Sequence, residues 1–129
     1  MKQNNLLVVD DEQFVLNCLR RVFVDEPFGV IAAKYDEAFK VLEGNPIKVV
    51  ISDYRMPKIS GTDFLCKVKE QYPEIVRILL SGYSDIKIAE EAINKGEVFR
   101  FVKKPWDNEA LKKTVQEAIE KFNLAKMNR

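Results

Sequence analysis

Five side chains that can do chemistry stand where short apolar runs stop. Asp10 and Asp11 follow Leu6-Leu7-Val8-Val9, Asp53 follows Val49-Val50-Ile51-Ser52, Ser81 follows Ile75 to Leu80, and Lys104 follows Val98 to Lys103. If those runs are parallel strands, all five groups share one rim of a sheet. Three carboxylates gathered there repel one another, so at least one pKa should rise unless a cation enters. Oxygen-only ligands with open positions suit Mg²⁺ better than Ca²⁺. With Mg²⁺ in place, Asp53 can attack an electrophilic phosphorus as a carboxylate nucleophile. The metal, Lys104 and the Ser81 hydroxyl would hold the three phosphoryl oxygens. The chain has no histidine, so an imidazole base, an imidazole ligand and a phosphohistidine of its own are excluded.

Each of these residues has an ordinary reading by itself. Asp10 can cap a helix, Asp11 and Glu12 can favour a helix N-terminus, Asp53 and Ser81 can sit in turns, and Lys104 can be a solvated surface lysine. Their joint placement after successive strands is what points to a site.

The elements that must position them follow from pattern and punctuation. Strand one is Leu6 to Val9. Helix one carries Val15, Cys18, Leu19, Val22 and Phe23 at helical spacing, with Arg20 and Arg21 outward. Strand two is Phe28 to Ala33, and a helix over Asp36–Glu43 turns Phe39 and Leu42 inward before Gly44-Asn45-Pro46. Strand three is Ile47 to Asp53. Ser60 is an expected N-cap for helix three, which carries Phe64, Leu65 and Val68 and ends near Tyr72-Pro73. After strand four, Ile75 to Leu80, Ser84 is expected to cap helix four, with Ile86, Ala89, Ala92 and Ile93 inward and Gly96 ending it. Strand five, Val98 to Val102, suits a sheet edge because Arg100 interrupts it. Helix five starts near Asp107 and passes Leu111, Val115, Ala118, Ile119 and Phe122. Five strand–helix repeats predict an α/β fold with a parallel sheet covered on both faces.

The whole composition agrees with one domain. The chain has 129 residues, 47% of them apolar, and a formal net charge of +1 from 21 basic and 20 acidic groups. That balance offers no electrostatic case for direct nucleic-acid binding or for an anionic membrane surface. No apolar run is long enough for a membrane span, and the residues before strand one are too few for a signal peptide, so a cytoplasmic protein is expected. Cys18 and Cys66 match no metal-ligand spacing and are expected to be reduced core residues.

From Leu6 to about Phe122 the sequence resembles the receiver domain of two-component response regulators. The resemblance rests on Val8-Val9-Asp10-Asp11-Glu12, on Ser52-Asp53-Tyr54-Arg55-Met56-Pro57 with Gly61, on Leu80-Ser81-Gly82, and on Phe101-Val102-Lys103-Lys104-Pro105. It implies a doubly wound, flavodoxin-like α/β fold with five helices and a five-stranded parallel sheet in the order 2-1-3-4-5. It implies a receiver over residues 4–123, with 124–129 a helix extension or the start of a linker to an output domain absent from this chain. It makes Asp53 the phosphoacceptor, and Asp10 and Asp11 the acidic pair for Mg²⁺ with Asp11 a direct ligand. The Arg55 backbone carbonyl becomes a further ligand. Ser81 becomes the switch hydroxyl, Phe101 the aromatic switch residue and Lys104 the phosphoryl-pairing lysine. Lys104-Pro105 would be a cis peptide. Arg55 and Tyr83 occupy the positions that tune phosphoryl lifetime, and both are large enough to crowd attacking water.

The function implied is a phosphorylation-dependent switch, not a metabolic enzyme, catalysing only its own phosphorylation and dephosphorylation. A partner histidine kinase or phosphotransfer protein would donate the phosphoryl group. The face made by helix four, strand five and helix five would then control an output domain or partner, with a homodimer through that face as one form. Phe99 to Trp106 resembles receivers joined to cyclic-dinucleotide phosphodiesterase or other output domains. Trp106 is expected to pack on helix five or to anchor a partner on that face.

Three other functions fit these residues less well. A haloacid-dehalogenase-like phosphatase places a second Asp two residues after its nucleophile, where Arg55 stands. A flavin-binding module needs a hydroxyl- and glycine-rich loop after strand one, where Asp10-Asp11-Glu12 would repel phosphate. A docking domain that is never phosphorylated would have no need of the intact acid, hydroxyl and lysine set. Repulsion also predicts that Asp53→Ala or Asp53→Asn leaves the metal-free protein at least as stable.

Overall fold

Alternation along the strands decides the architecture. In the computed structural model, which describes residues 2–127, Leu6 and Val8 of β1 (Asn4–Val9) face one helical layer, and Leu7 and Val9 face the other. Successive side chains of a strand point to opposite faces, so a continuous apolar run requires cover on both sides. The same division holds in β3 (Val49–Asp53) and β4 (Val76–Ser81).

One layer is α1 (Gln13–Val22) and α5 (Asn108–Met127). They meet the sheet through Leu16, Leu19, Val22, Leu111, Val115 and Ala118, with Phe23 and Phe28 closing the end. The other layer is α2 (Tyr35–Gly44), α3 (Gly61–Gln71) and α4 (Ile86–Asn94). It contributes Ala38, Leu42, Phe64, Leu65, Val68, Ala89 and Ala92. The sheet is parallel, in the order β2-β1-β3-β4-β5, with β2 (Gly29–Ala33) and β5 (Arg100–Lys103) at its edges. The edge position of β5 explains its polar pattern: Arg100 and Lys103 are exposed, and Phe101 and Val102 are half-buried.

The helix boundaries follow their caps in two places and depart from expectation in one. Ser60 caps α3, its hydroxyl accepting from the Asp63 amide at 3.1 Å. Asp107 does the same for α5, accepting from Ala110 at 2.9 Å. Ser84 does not cap α4. A 3₁₀ turn at Tyr83–Asp85 precedes the helix, and Asp85 takes the N-cap position without a side-chain capping bond. Gly96, with φ of 74°, ends α4 in the left-handed region that glycine adopts without a Cβ penalty.

Both cysteines are free, and neither belongs to the core: Cys18 and Cys66 are half-buried at helix surfaces. The Cys66 thiol donates to Glu97, ahead of β5, at 3.0 Å. Trp106 is half-buried against the α1–α5 layer, its indole N–H donating to Asn108. Among the described residues no helix is long and apolar enough to cross a membrane. The tail expected as an extension or linker is described to Met127 as part of α5, and residues 128–129 lie outside the described residues.

Candidate functional site

Register places the chemistry. Val9 pairs with Ser52, so Asp10 and Asp53 leave adjacent strands at the same level. Ser81 pairs with Lys103, so Lys104 emerges one step beyond it. Backbone bonds fix the rim: Tyr54 donates to Leu80 at 2.9 Å, and Lys104 to Ser81 at 2.9 Å. The loop after β3 folds back tightly, with the Gly61 amide donating to the Tyr54 carbonyl at 2.7 Å. A Cβ at Gly61 would overlap the Asp53 carbonyl and crowd the Tyr54 Cα. Glycine is needed there for close backbone approach.

Asp10, Asp11 and Asp53 converge, each offering an oxygen within 4.8 Å of the others. Asp53 is 6% exposed, and its Oδ1 lies 2.5 Å from the Lys104 ammonium. Asp10 is 1% exposed. Its Oδ1 accepts from the Glu12 amide at 2.9 Å, while Oδ2 is buried with no hydrogen-bond partner. Burial pushes the Asp10 carboxyl up to about 6; the Asp53 and Asp11 charges add to this, and the Glu12 amide and Lys104 oppose it. A raised carboxyl was expected from mutual repulsion, but desolvation is the larger cause. An orphaned buried oxygen in an all-oxygen cluster is the arrangement a hard cation would complete.

Ser81 is fully buried, and its hydroxyl donates to the Gly82 carbonyl at 3.2 Å, with no bond to Asp53. Phe101 is half-buried against the layer of α2, α3 and α4. The Lys104-Pro105 peptide is cis.

Of the two positions expected to crowd water, Arg55 borders Asp53 and Tyr83 does not. Tyr83 is 77% exposed, with its ring against the Lys103 ammonium at 4.6 Å, and it is not among the residues around the Asp53 depression. Its place in the 3₁₀ turn points the ring outward. Arg55 does line that depression, of about 250 Å³, together with Asp53, Tyr54, Gly82, Ser84, Asp85 and Lys104. Its guanidinium donates to both oxygens of the Asp85 carboxylate, each at 2.9 Å.

Asp85 is the residue that sequence reasoning missed. It is 4% exposed, and helix periodicity alone gives no reason to bury a carboxylate at that point. The available signal was the pairing of a bulky cation after Asp53 with an acidic residue after Ser81.

The family described as response regulator receiver domain matches residues 6–116. The hydrogenase transcriptional regulatory protein HoxA of Cupriavidus necator is 41% identical over 120 residues, covering 92% of this chain and 25% of that protein. The chain therefore spans about a quarter of that relative's length. A response regulator receiver domain protein from Clostridium thermocellum superposes with a TM-score of 0.87 at 30% identity, covering 95% of this chain and 98% of that one. The signal receiver domain of an HD domain-containing protein from Pseudomonas fluorescens Pf-5 superposes with a TM-score of 0.89 at 29% identity, covering 100% and 96%.

Proposed function

The chain belongs to the response regulator receiver family, and on that premise we propose that it is a phosphorylation-controlled switch with Asp53 as phosphoacceptor. The observation that carries this is the setting of Asp53: buried at a strand end, 2.5 Å from Lys104 and clustered with Asp10 and Asp11.

Asp10, Asp11, Asp53 and the Arg55 backbone carbonyl would hold Mg²⁺, and the unpartnered Asp10 Oδ2 supports that assignment. Bound there, Mg²⁺ would offset the carboxylate charge and draw electron density from the phosphoryl oxygens. An Asp53 carboxylate oxygen attacks phosphorus as the P–N bond of a donor phosphohistidine breaks, and the imidazole leaves with the electron pair and takes a proton. Lys104, already beside the carboxylate, pairs with a phosphoryl oxygen. Ser81 turns from the Gly82 carbonyl toward the phosphoryl group, and Phe101 moves inward behind it. The surface of α4, β5 and α5 then changes between two populated states.

The donor is a histidine kinase or phosphotransfer protein, since this chain has no histidine. The listener is an output domain, a partner protein or a second copy through the α4-β5-α5 face, in the cytoplasm. HoxA is by name a transcriptional regulatory protein, and the Pseudomonas fluorescens receiver is that of an HD domain-containing protein. By name, these two similar proteins belong to different kinds of output.

Incubation with Mg²⁺ and a small acyl phosphate, followed by intact mass, tests the reading. One phosphoryl adduct is expected, absent in Asp53→Asn and lost when EDTA replaces Mg²⁺. No adduct, or one that survives Asp53→Asn, overturns it.

A further inference from the structure

Asp85 is a buried carboxylate that the chemistry at Asp53 does not use. Its side chain is 5% exposed, and both oxygens are taken by Arg55, whose side chain is 73% exposed. A planar guanidinium fits a carboxylate in this fork, which a lysine could not reproduce. The pair joins two loops: Arg55 lies two residues after Asp53, and Asp85 ends the 3₁₀ turn that leads into α4. Both residues border the same depression as Asp53.

Each partner has a second home. Asp85 stands at the N-cap of α4 with φ of −111° and ψ of 13°, and its side chain caps nothing. A capping residue is ordinarily extended, with its side chain on the first free amides of the helix. Asp85 can adopt that role only by rotating its backbone and releasing Arg55, which opens the turn. Arg55, for its part, neighbours the position where phosphorylation would replace the Asp53 carboxylate with a phosphoryl group, a net gain of about one negative charge and three strong acceptor oxygens. A phosphoryl oxygen there can accept from the guanidinium in competition with the Asp85 carboxylate. Asp85 cannot then stay buried and unpaired, because an isolated buried carboxylate is too costly. The Tyr83–Lys103 contact on the other side of the turn is exposed and too weak to hold it.

We infer that Asp85 is a positioning residue, holding Arg55 off the phosphoacceptor and locking the turn before α4 until a phosphoryl group takes the guanidinium. The inference rests on Asp53 as phosphoacceptor, but the restraint itself exists without phosphorylation and can be tested without it.

Amide hydrogen exchange over residues 82–88 of the full chain is the measurement. Asp85→Asn keeps the shape and removes the charge; Arg55→Gln removes the guanidinium from an exposed position and keeps the backbone carbonyl. Without phosphodonor, each is expected to raise exchange there roughly tenfold or more, the loss of a charge-assisted bidentate bond, with β1 and β3 unchanged. The double variant should add nothing to either single one, because both break the same contact. Unchanged exchange in the singles, or additive effects, overturns the inference. With Mg²⁺ and a small acyl phosphate, the unmodified chain should show the same rise. An adduct by mass with no rise overturns the exchange of partners. An absent adduct overturns the phosphoacceptor reading, and the donor-free comparison still decides the restraint.

Discussion

Lys104 Nζ lies 2.5 Å from Asp53 Oδ1, across the ends of two strands that are not neighbours in the sheet. The ammonium reaches over the end of β4 to do so. In the metal-free protein it is the counter-charge for Asp53, and repulsion among the carboxylates is therefore only part of the balance. The lost Lys104 contact thus opposes the relief of repulsion behind the expectation that Asp53→Ala or Asp53→Asn leaves the metal-free protein at least as stable. Asp53→Asn keeps an oxygen for Lys104 and relieves Asp10, so its stability should stay within about 1 kcal/mol of the parent. Lys104→Met leaves Asp53 buried and unpaired and should cost about 1–3 kcal/mol. Urea melts in EDTA check both; a Lys104→Met variant as stable as the parent contradicts the pairing.

Asp10 gives the protein a defined pH dependence. Its carboxyl is raised to about 6 by burial, above the unfolded value, so the folded state holds the proton more tightly. Stability is then greatest below the unfolded pKa and falls as pH rises from about 4 through 6, by up to about 3 kcal/mol for this group. Asp10→Asn should flatten that part of the profile. Denaturant melts between pH 4 and 7 without metal read the slope.

On the proposed Mg²⁺ site, the same proton would compete with the cation. Mg²⁺ affinity, measured by calorimetry, should weaken as pH falls below about 6, approaching tenfold per unit for one proton displaced. In Asp10→Asn the affinity should be low and the part of its pH dependence near 6 should be absent. An affinity constant from pH 7 to 5 would remove Asp10 from the ligand set.

Cys66 should be slow to react. Its thiol is pushed from 9.0 up to about 11, chiefly by burial and then by Glu97. Two pH units mean about a hundredfold less thiolate near pH 8. Alkylation followed by mass should accordingly be slow at Cys66 and faster in Glu97→Gln. Equal rates in the two proteins would discount the Glu97 contact.

Gly61 should tolerate no side chain. An added Cβ meets backbone atoms of Asp53 and Tyr54, which cannot turn aside as a side-chain tip can. Gly61→Ala is expected to cost about 1–3 kcal/mol and, on the proposed role of Asp53, to lower phosphoryl uptake, because the strain falls on the loop that follows Asp53. Thermal melts and the adduct assay read the two effects together.

Residue pattern was enough to read the alternation of strands and helices and the rim on which Asp10, Asp11, Asp53, Ser81 and Lys104 stand. Those are consequences of local periodicity and of the rule that parallel strands end on one side. Tertiary structure decided which groups touch. Arg55 and Asp85 are 30 residues apart, and only the placement of two loops against each other makes them partners. That contact makes Arg55, at the rim of the Asp53 depression, one half of an ion pair. The same placement gave the N-cap of α4 to Asp85 instead of Ser84. Packing depth, which no local pattern encodes, left Cys18 and Cys66 half-buried and made desolvation of Asp10 outweigh repulsion. Local sequence sets backbone direction, but burial and side-chain partnership depend on what the rest of the chain brings alongside.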